Sequence, residues 1–159
     1  MDTARQKPKG GPLPGLLRPP LIFLAAILLG IVLNRVWAVP FMPSNLRLLG
    51  PLVILCAVLL FLLSLREFRA AGTSVRGSEL STAIVRTGPY RFSRNPIYLA
   101  FILFVLGLSV WLNALGLILA LIPAIAFIAT VVIPREERFL ERNFHPHYSS
   151  YKAAVRRWL

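Results

Sequence analysis

Four apolar runs of this chain carry no charged residue: residues 21–33, 48–65, 97–112 and 114–133. Water solvates such runs poorly, whereas about 20 apolar residues in an α-helix cross the hydrocarbon core of a bilayer. The second and fourth runs are long enough as they stand. The first and third need residues from their flanks, and the first either starts as early as Leu16 or continues past Asn34 and Arg35 to Val39. Hydrophobic residues make up 57% of the chain, above the roughly 45–50% of an ordinary soluble domain. The expectation is an all-α polytopic membrane protein with about four transmembrane helices. Residues 16–159 form one membrane domain in this reading, preceded by a disordered basic tail over residues 1–15.

Charge placement orients the spans. Four of the 18 basic residues precede the first run, two lie between residues 34 and 47, six between 66 and 94, and six from 135 onward. If all four runs cross, 16 of the 18 face one side, and the positive-inside rule makes both termini and the central loop cytoplasmic, in a bacterial inner membrane for preference. All six acidic residues lie there too, leaving a layer of net +10. Attraction to anionic headgroups explains such a layer without any enzyme. Nucleic acid is disfavoured as a partner, because no basic helix or aromatic platform lies outside the membrane-flanking segments. The leader carries Pro8, Pro12 and Pro14 ahead of Pro19 and Pro20, which suits a tail better than a cleavable signal. Cys56 is the single cysteine, so the sequence offers no disulfide framework and no metal cluster.

Only Leu112, Asn113 and Ala114 stand between the third and fourth spans. That spacing predicts an antiparallel helical hairpin, with a kink at Pro123. Gly107 and Gly116 permit close helix approach, or are ordinary membrane-helix composition. Because a hairpin returns to the side it left, the segment before it and the tail after it must emerge together. The first reads "RTGPYRFSRNPIYLA" from Arg86 to Ala100, the second "EERFLERNFHPHYSSYKAAVRRWL" from Glu136 to Leu159. Tyr90, Arg94, Asn95 and Tyr98 can therefore meet Glu136 and Glu137.

Each residue has a plain reading and a functional one. Gly88-Pro89 makes a turn, Pro96 suits the first helical position, and Asn95 is placed as its N-cap. A helix start with unpaired N–H groups also attracts a carboxylate. Tyr90 and Tyr98 suit an aromatic belt, and Arg91 and Arg94 can snorkel to headgroups. Glu136 and Glu137 follow Pro134 and Arg135, where a helix start tolerates acid and Arg138 or Arg142 can pair with it. Their functional reading is recognition of an amino group or of ribose hydroxyls. His145-Pro146-His147 resembles a metal or base motif, but no third ligand accompanies it and a solvent-facing turn suits it better.

These residues resemble the isoprenylcysteine carboxyl methyltransferase and phospholipid methyltransferase group of membrane enzymes. Ile84-Val85-Arg86-Thr87-Gly88-Pro89-Tyr90, then Arg94-Asn95-Pro96-Ile97-Tyr98, then Glu136-Glu137 with Leu140, Phe144, Tyr148 and Tyr151 follow the group's pattern in order. The likeness covers about residues 48–159. It implies S-adenosylmethionine held in a cytoplasmic pocket, with Thr82, Ala83, Ile84, Val85, Tyr90, Asn95, Pro96, Ile97, Tyr98, Glu136 and Glu137 lining the cofactor site. It also implies a lipid-like or prenylated acceptor, such as an isoprenylcysteine carboxylate. Arg94, Arg135 and Arg157 are the candidates to orient an acceptor carboxylate, since a guanidinium fork pairs with two oxygens.

Two positions depart from the pattern. His145 stands where many members have glycine, and Val132 stands where the eukaryotic prenylcysteine enzymes carry a substrate-binding arginine, with Arg135 its nearest replacement. Asn95 in place of histidine looks like the bacterial branch. Two other readings stay open: a membrane reductase using NADPH and resembling the sterol reductases, and a non-enzymatic protein whose basic face binds anionic lipid.

Overall fold

A computed structural model of the chain describes residues 18–71 and 84–159. The predicted tail and the site candidates Thr82 and Ala83 lie outside these residues. Among the described residues every regular element is helical. The first span is α1 (Pro19–Val36), settling its open boundaries, with Pro19 and Pro20 in the first turn where their missing N–H groups cost nothing. A 3₁₀ turn (Ser44–Leu48) leads into α2 (Leu49–Ala70), and a second (Gly88–Arg91) precedes α3 (Pro96–Leu112). Then come α4 (Leu115–Phe127), a π-turn (Ile128–Val132), α5 (Ile133–Phe144) and α6 (His147–Ala154).

Three helical stretches, Pro19–Val36, Ser44–Ala70 and Leu115–Phe144, are long and apolar enough to cross a membrane, and α3 is a shorter apolar helix. Their outward faces carry Leu24, Leu28, Leu52, Leu55, Leu59, Leu62 and Ile122, all exposed. Such a surface is stable against lipid and unstable against water.

The helices pair antiparallel, and glycine sets how closely. In the α1–α4 pair, Ala26 meets Ala120 and Ala124, and a Cβ on Gly30 would lie 2.7 Å from Leu117 Cα. In the α2–α3 pair, a Cβ on Gly50 would lie 2.5 Å from the Trp111 nitrogen, and one on Gly107 2.9 Å from the Ile54 nitrogen. Without a hydrophobic force between helices in lipid, this close backbone approach supplies the van der Waals attraction. For Gly107 and Gly116, close approach is therefore the correct reading. Between the pairs lies a core of Phe23, Tyr98, Val105, Leu117, Leu121, Ile128, Val132 and Ile133.

The α3–α4 hairpin forms as the short spacing required, with Asn113 and Ala114 alone between the helices and Leu112 closing α3. Asn113 takes the left-handed conformation (φ 52°) and is 7% exposed. Its Oδ1 accepts the N–H groups of Phe41 and Met42, both at 3.1 Å, and its Nδ2 donates to the Met42 carbonyl at 3.0 Å. One side chain thus ties the hairpin turn to the α1–α2 connection.

The fourth span carries a local irregularity that the sequence reading did not include. The helix runs through Pro123, and Ile128–Val132 then winds as a π-turn. The extra residue in a π-turn rotates the later residues by about 100° relative to the face before it. Ile128, Val132 and Ile133 are consequently all fully buried. Because α5 continues the same rod, Glu136 and Glu137 do not sit at a free helix start, and the first-turn reading of that pair is corrected.

Asn113→Ala should lower the thermal midpoint in detergent, since it strands two N–H groups and a carbonyl. Asn113→Gly loses the same bonds but relieves the left-handed backbone, worth about 1 kcal/mol, and should lose less. An unchanged midpoint for Asn113→Ala would contradict the clamp.

Candidate functional site

The segments before α3 and after α4 meet at one end of the bundle, as the hairpin demands. The loop 84–95 turns at Gly88 (φ 57°), where a Cβ would lie 2.7 Å from Glu67 Cγ, so glycine fits both the backbone and the space. The Thr87 hydroxyl donates to Glu67 Oε2, and Phe68 meets Tyr90 edge-on at 5.2 Å, which seats the loop on the end of α2. From the other side, the Tyr151 hydroxyl donates to the Tyr90 carbonyl at 2.7 Å, and Arg86 donates to the His147 carbonyl.

Two carboxylates stand beneath this loop with different partners. Tyr98 donates to Glu136 Oε1 at 2.6 Å and is the sole hydrogen-bond donor to Glu136 among the described residues. The second oxygen of Glu136 is left to accept from something else. Glu137 is 6% exposed and fully engaged. Arg157 forks onto it, Nε to Oε1 at 3.2 Å and Nη2 to Oε2 at 2.8 Å. Arg94 Nη1 lies 3.0 Å from Glu137 Oε1, but off the hydrogen-bonding line, so its contribution is charge. The pairing expected with Arg138 or Arg142 is absent among the described residues: Arg138 instead donates to its own helix at the Pro134 carbonyl, and Arg142 is exposed.

Asn95 does not cap α3. Its Nδ2 donates to the Arg157 carbonyl at 2.9 Å, and its backbone N–H donates to Ser93 Oγ at 3.1 Å. With no side-chain cap, the first backbone N–H groups of α3, at Ile97 and Tyr98, keep no partner within the helix. Pro96 takes the first helical position, as its ring predicts.

Buried donors without an acceptor complete the site. Tyr90 is 5% exposed, yet its hydroxyl has no partner among the described residues, and neither has Arg94 Nε. Burial pushes the Tyr90 phenol well above the ordinary tyrosine range, and Tyr151, Glu136 and Glu67 add to the rise. Tyr90 therefore remains a proton donor at any physiological pH. Tyr151 is raised to about 12, chiefly by burial. An unpaired buried hydroxyl costs about 1–3 kcal/mol in a folded protein, and functional sites are where that cost is carried.

Of the three arginines expected to orient the acceptor, Arg94 and Arg157 converge on Glu137, whereas Arg135 is exposed and without a partner among the described residues. Ile84 and Val85 lead into the loop, Val85 buried. Ser93, 2% exposed, was not anticipated, nor was the pairing of the C-terminal carbonyls with the loop. Among the described residues no group of three His, Cys, Asp or Glu stands close enough to hold a metal ion.

Residues 46–147, most of the chain, match the phospholipid methyltransferase family. The chain belongs to that family. Its similarity to curated relatives is narrower. It is 35% identical over 71 residues to the nickel-cobalt-cadmium resistance protein NccN of Alcaligenes xylosoxydans xylosoxydans, covering 45% of this chain and 33% of that protein. It is 34% identical over 71 residues to the cobalt-zinc-cadmium resistance protein CzcN of Cupriavidus metallidurans, 45% of this chain and 32% of that one. An uncharacterized protein of Haemophilus influenzae is 41% identical over 66 residues, 40% of this chain and the whole of that protein. The match thus spans about a third of the length of the two metal-resistance relatives. No solved structure matches. The family match includes the loop, α3, the Glu pair and the first residue of α6, and ends before Tyr151 and Arg157.

Glu137→Ala leaves Arg94 and Arg157 without their counter-charge and should destabilise the fold by about 3–5 kcal/mol. Tyr90→Phe removes only an unpaired hydroxyl and should leave the thermal midpoint unchanged or raised. A large loss in Tyr90→Phe would mean that the hydroxyl has a structural partner.

Proposed function

We propose that the chain is an integral membrane methyltransferase that takes its methyl group from S-adenosylmethionine and delivers it to an isoprenylcysteine carboxylate or a similar lipid-like acceptor, at the cytoplasmic face. The observation that carries this reading is the set of unmatched polar groups at the mouth of α3. Among the described residues the Tyr90 hydroxyl is buried without a partner, one Glu136 oxygen accepts no hydrogen bond, and the α3 N–H groups have no side-chain cap. A zwitterionic amino-acid group suits this set: an ammonium for Glu136, a carboxylate for the N–H groups at Ile97 and Tyr98. Family membership supports the same class of reaction.

In this reading Glu136, held by Tyr98, binds the cofactor's ammonium, and the Tyr90 hydroxyl donates to one of its acceptors. The cofactor supplies an activated methyl group on a sulfonium. Transfer is an in-line displacement that needs alignment and dryness more than acid or base. Loop 84–95, closed over Glu136 by Tyr151, excludes water. A carboxylate acceptor needs no general base, and Arg135, the candidate arginine left unpaired among the described residues, is placed beside Glu136 in sequence to orient it. The exposed leucines of α1 and α2 give an apolar tail access from the bilayer.

Calorimetric titration of the detergent-purified chain with S-adenosylhomocysteine tests this. The expected result is saturable micromolar binding, abolished in Glu136→Ala and weakened about tenfold in Tyr90→Phe, the loss of one hydrogen bond to a bound ligand. A folded sample that takes up NADPH and not S-adenosylhomocysteine, or neither, overturns the reading.

A further inference from the structure

The chain does not trail away after α6. At Val155 the backbone becomes extended (φ −123°, ψ 135°) and turns back along the loop before α3. The Arg156 carbonyl accepts the Arg94 N–H at 3.0 Å. The Arg157 carbonyl accepts Asn95 Nδ2 at 2.9 Å and the Ser93 hydroxyl at 3.4 Å. The Arg157 side chain reaches the opposite way, to Glu137 on α5, while Trp158 packs on the central core.

We propose that residues 155–158 form a strap across the mouth of α3, and that Arg157 is a positioning residue that sets the gap in which the cofactor is held. This rests on the cofactor reading given above. Arg157 touches both walls of the site at once, the loop through its carbonyl and α5 through its guanidinium. A two-point fork fixes the rotation of α5 as well as its distance, which a single contact does not. Glu136 is the adjacent residue on that helix, so the rotation that seats Glu137 on Arg157 also aims Glu136 at Tyr98. The Arg157 side chain is itself 38% exposed. Its partner Glu137 is buried, so losing the fork lowers the thermal midpoint as well, and the readout that separates positioning from mere stability is ligand affinity.

The test compares the full chain in lipid nanodiscs with Arg157→Ala, Arg157→Lys and, as a surface control, Arg142→Ala. S-adenosylhomocysteine Kd, S-adenosylmethionine KM and kcat, and thermal midpoint are measured on each. Arg157→Ala should raise Kd and KM about tenfold or more, as expected for loss of a bidentate charged contact, with a smaller fall in kcat. Arg157→Lys, which keeps the charge but not the fork, should fall between, and Arg142→Ala should match wild type. If Arg157→Ala does not fold, the lysine variant carries the test. Unchanged Kd in the Arg157 variants, or an equal rise in Arg142→Ala, overturns the strap while leaving the cofactor reading standing. Failure of the wild-type chain to bind overturns both, and is seen before any variant is made.

Discussion

Glu137 is a buried carboxylate at the end of a bundle of apolar helices, and the arrangement around it is a consequence of that burial. An isolated buried carboxylate is costly enough that it must be paired or protonated. Arg157 and Arg94 supply the pairing from two directions, one from the end of the chain and one from the loop before α3. The two arginines bring their backbones with them, so the Arg156 carbonyl meets the Arg94 N–H and the Arg157 carbonyl meets Asn95. Three segments distant in sequence are fixed together by neutralising one charge. Glu136, its neighbour, accepts from Tyr98 as its sole hydrogen-bond donor among the described residues.

The membrane-type helices supply the other constraint. A hairpin whose turn is only Asn113 and Ala114 must return α4 and α5 to the end from which α3 started, and Asn113 locks that turn from the far side. Glycine contacts at Gly50 and Gly107 set the α2–α3 separation, and those at Gly30 and Gly116 the α1–α4 separation. The π-turn completes the registration. By burying both Val132 and Ile133 it carries the inward face of α4 onto the Glu pair.

Much of this was legible in the sequence, for physical reasons. Charge-free runs announce helices in lipid, a three-residue gap forces a hairpin, and the hairpin alone implies that the loop around Tyr98 meets the Glu pair. The features that sequence reasoning misread depended on side-chain direction. Asn95 before Pro96 has the form of an N-cap, yet its amide is claimed by the Arg157 carbonyl. Pro134 ahead of Glu136 has the form of a helix start, yet the helix is continuous because the π-turn absorbs the irregularity. Arg138 and Arg142 stand one to two and five to six residues beyond the Glu pair, off the three- and four-residue spacing at which helix neighbours meet, and arginines from other segments reach Glu137 instead. The strap was not readable, since its bonds run through main-chain carbonyls and leave no residue pattern.

If the two segments flanking the hairpin form one ligand site, a bound ligand must protect both of them together. Hydrogen exchange on the full chain in nanodiscs, with and without S-adenosylhomocysteine, tests this most directly. The expected result is slowed exchange in both residues 84–98 and 136–157, with α1 and the Asn113 turn unchanged. Saturable binding with protection in one segment only, or elsewhere in the bundle, would contradict a shared site.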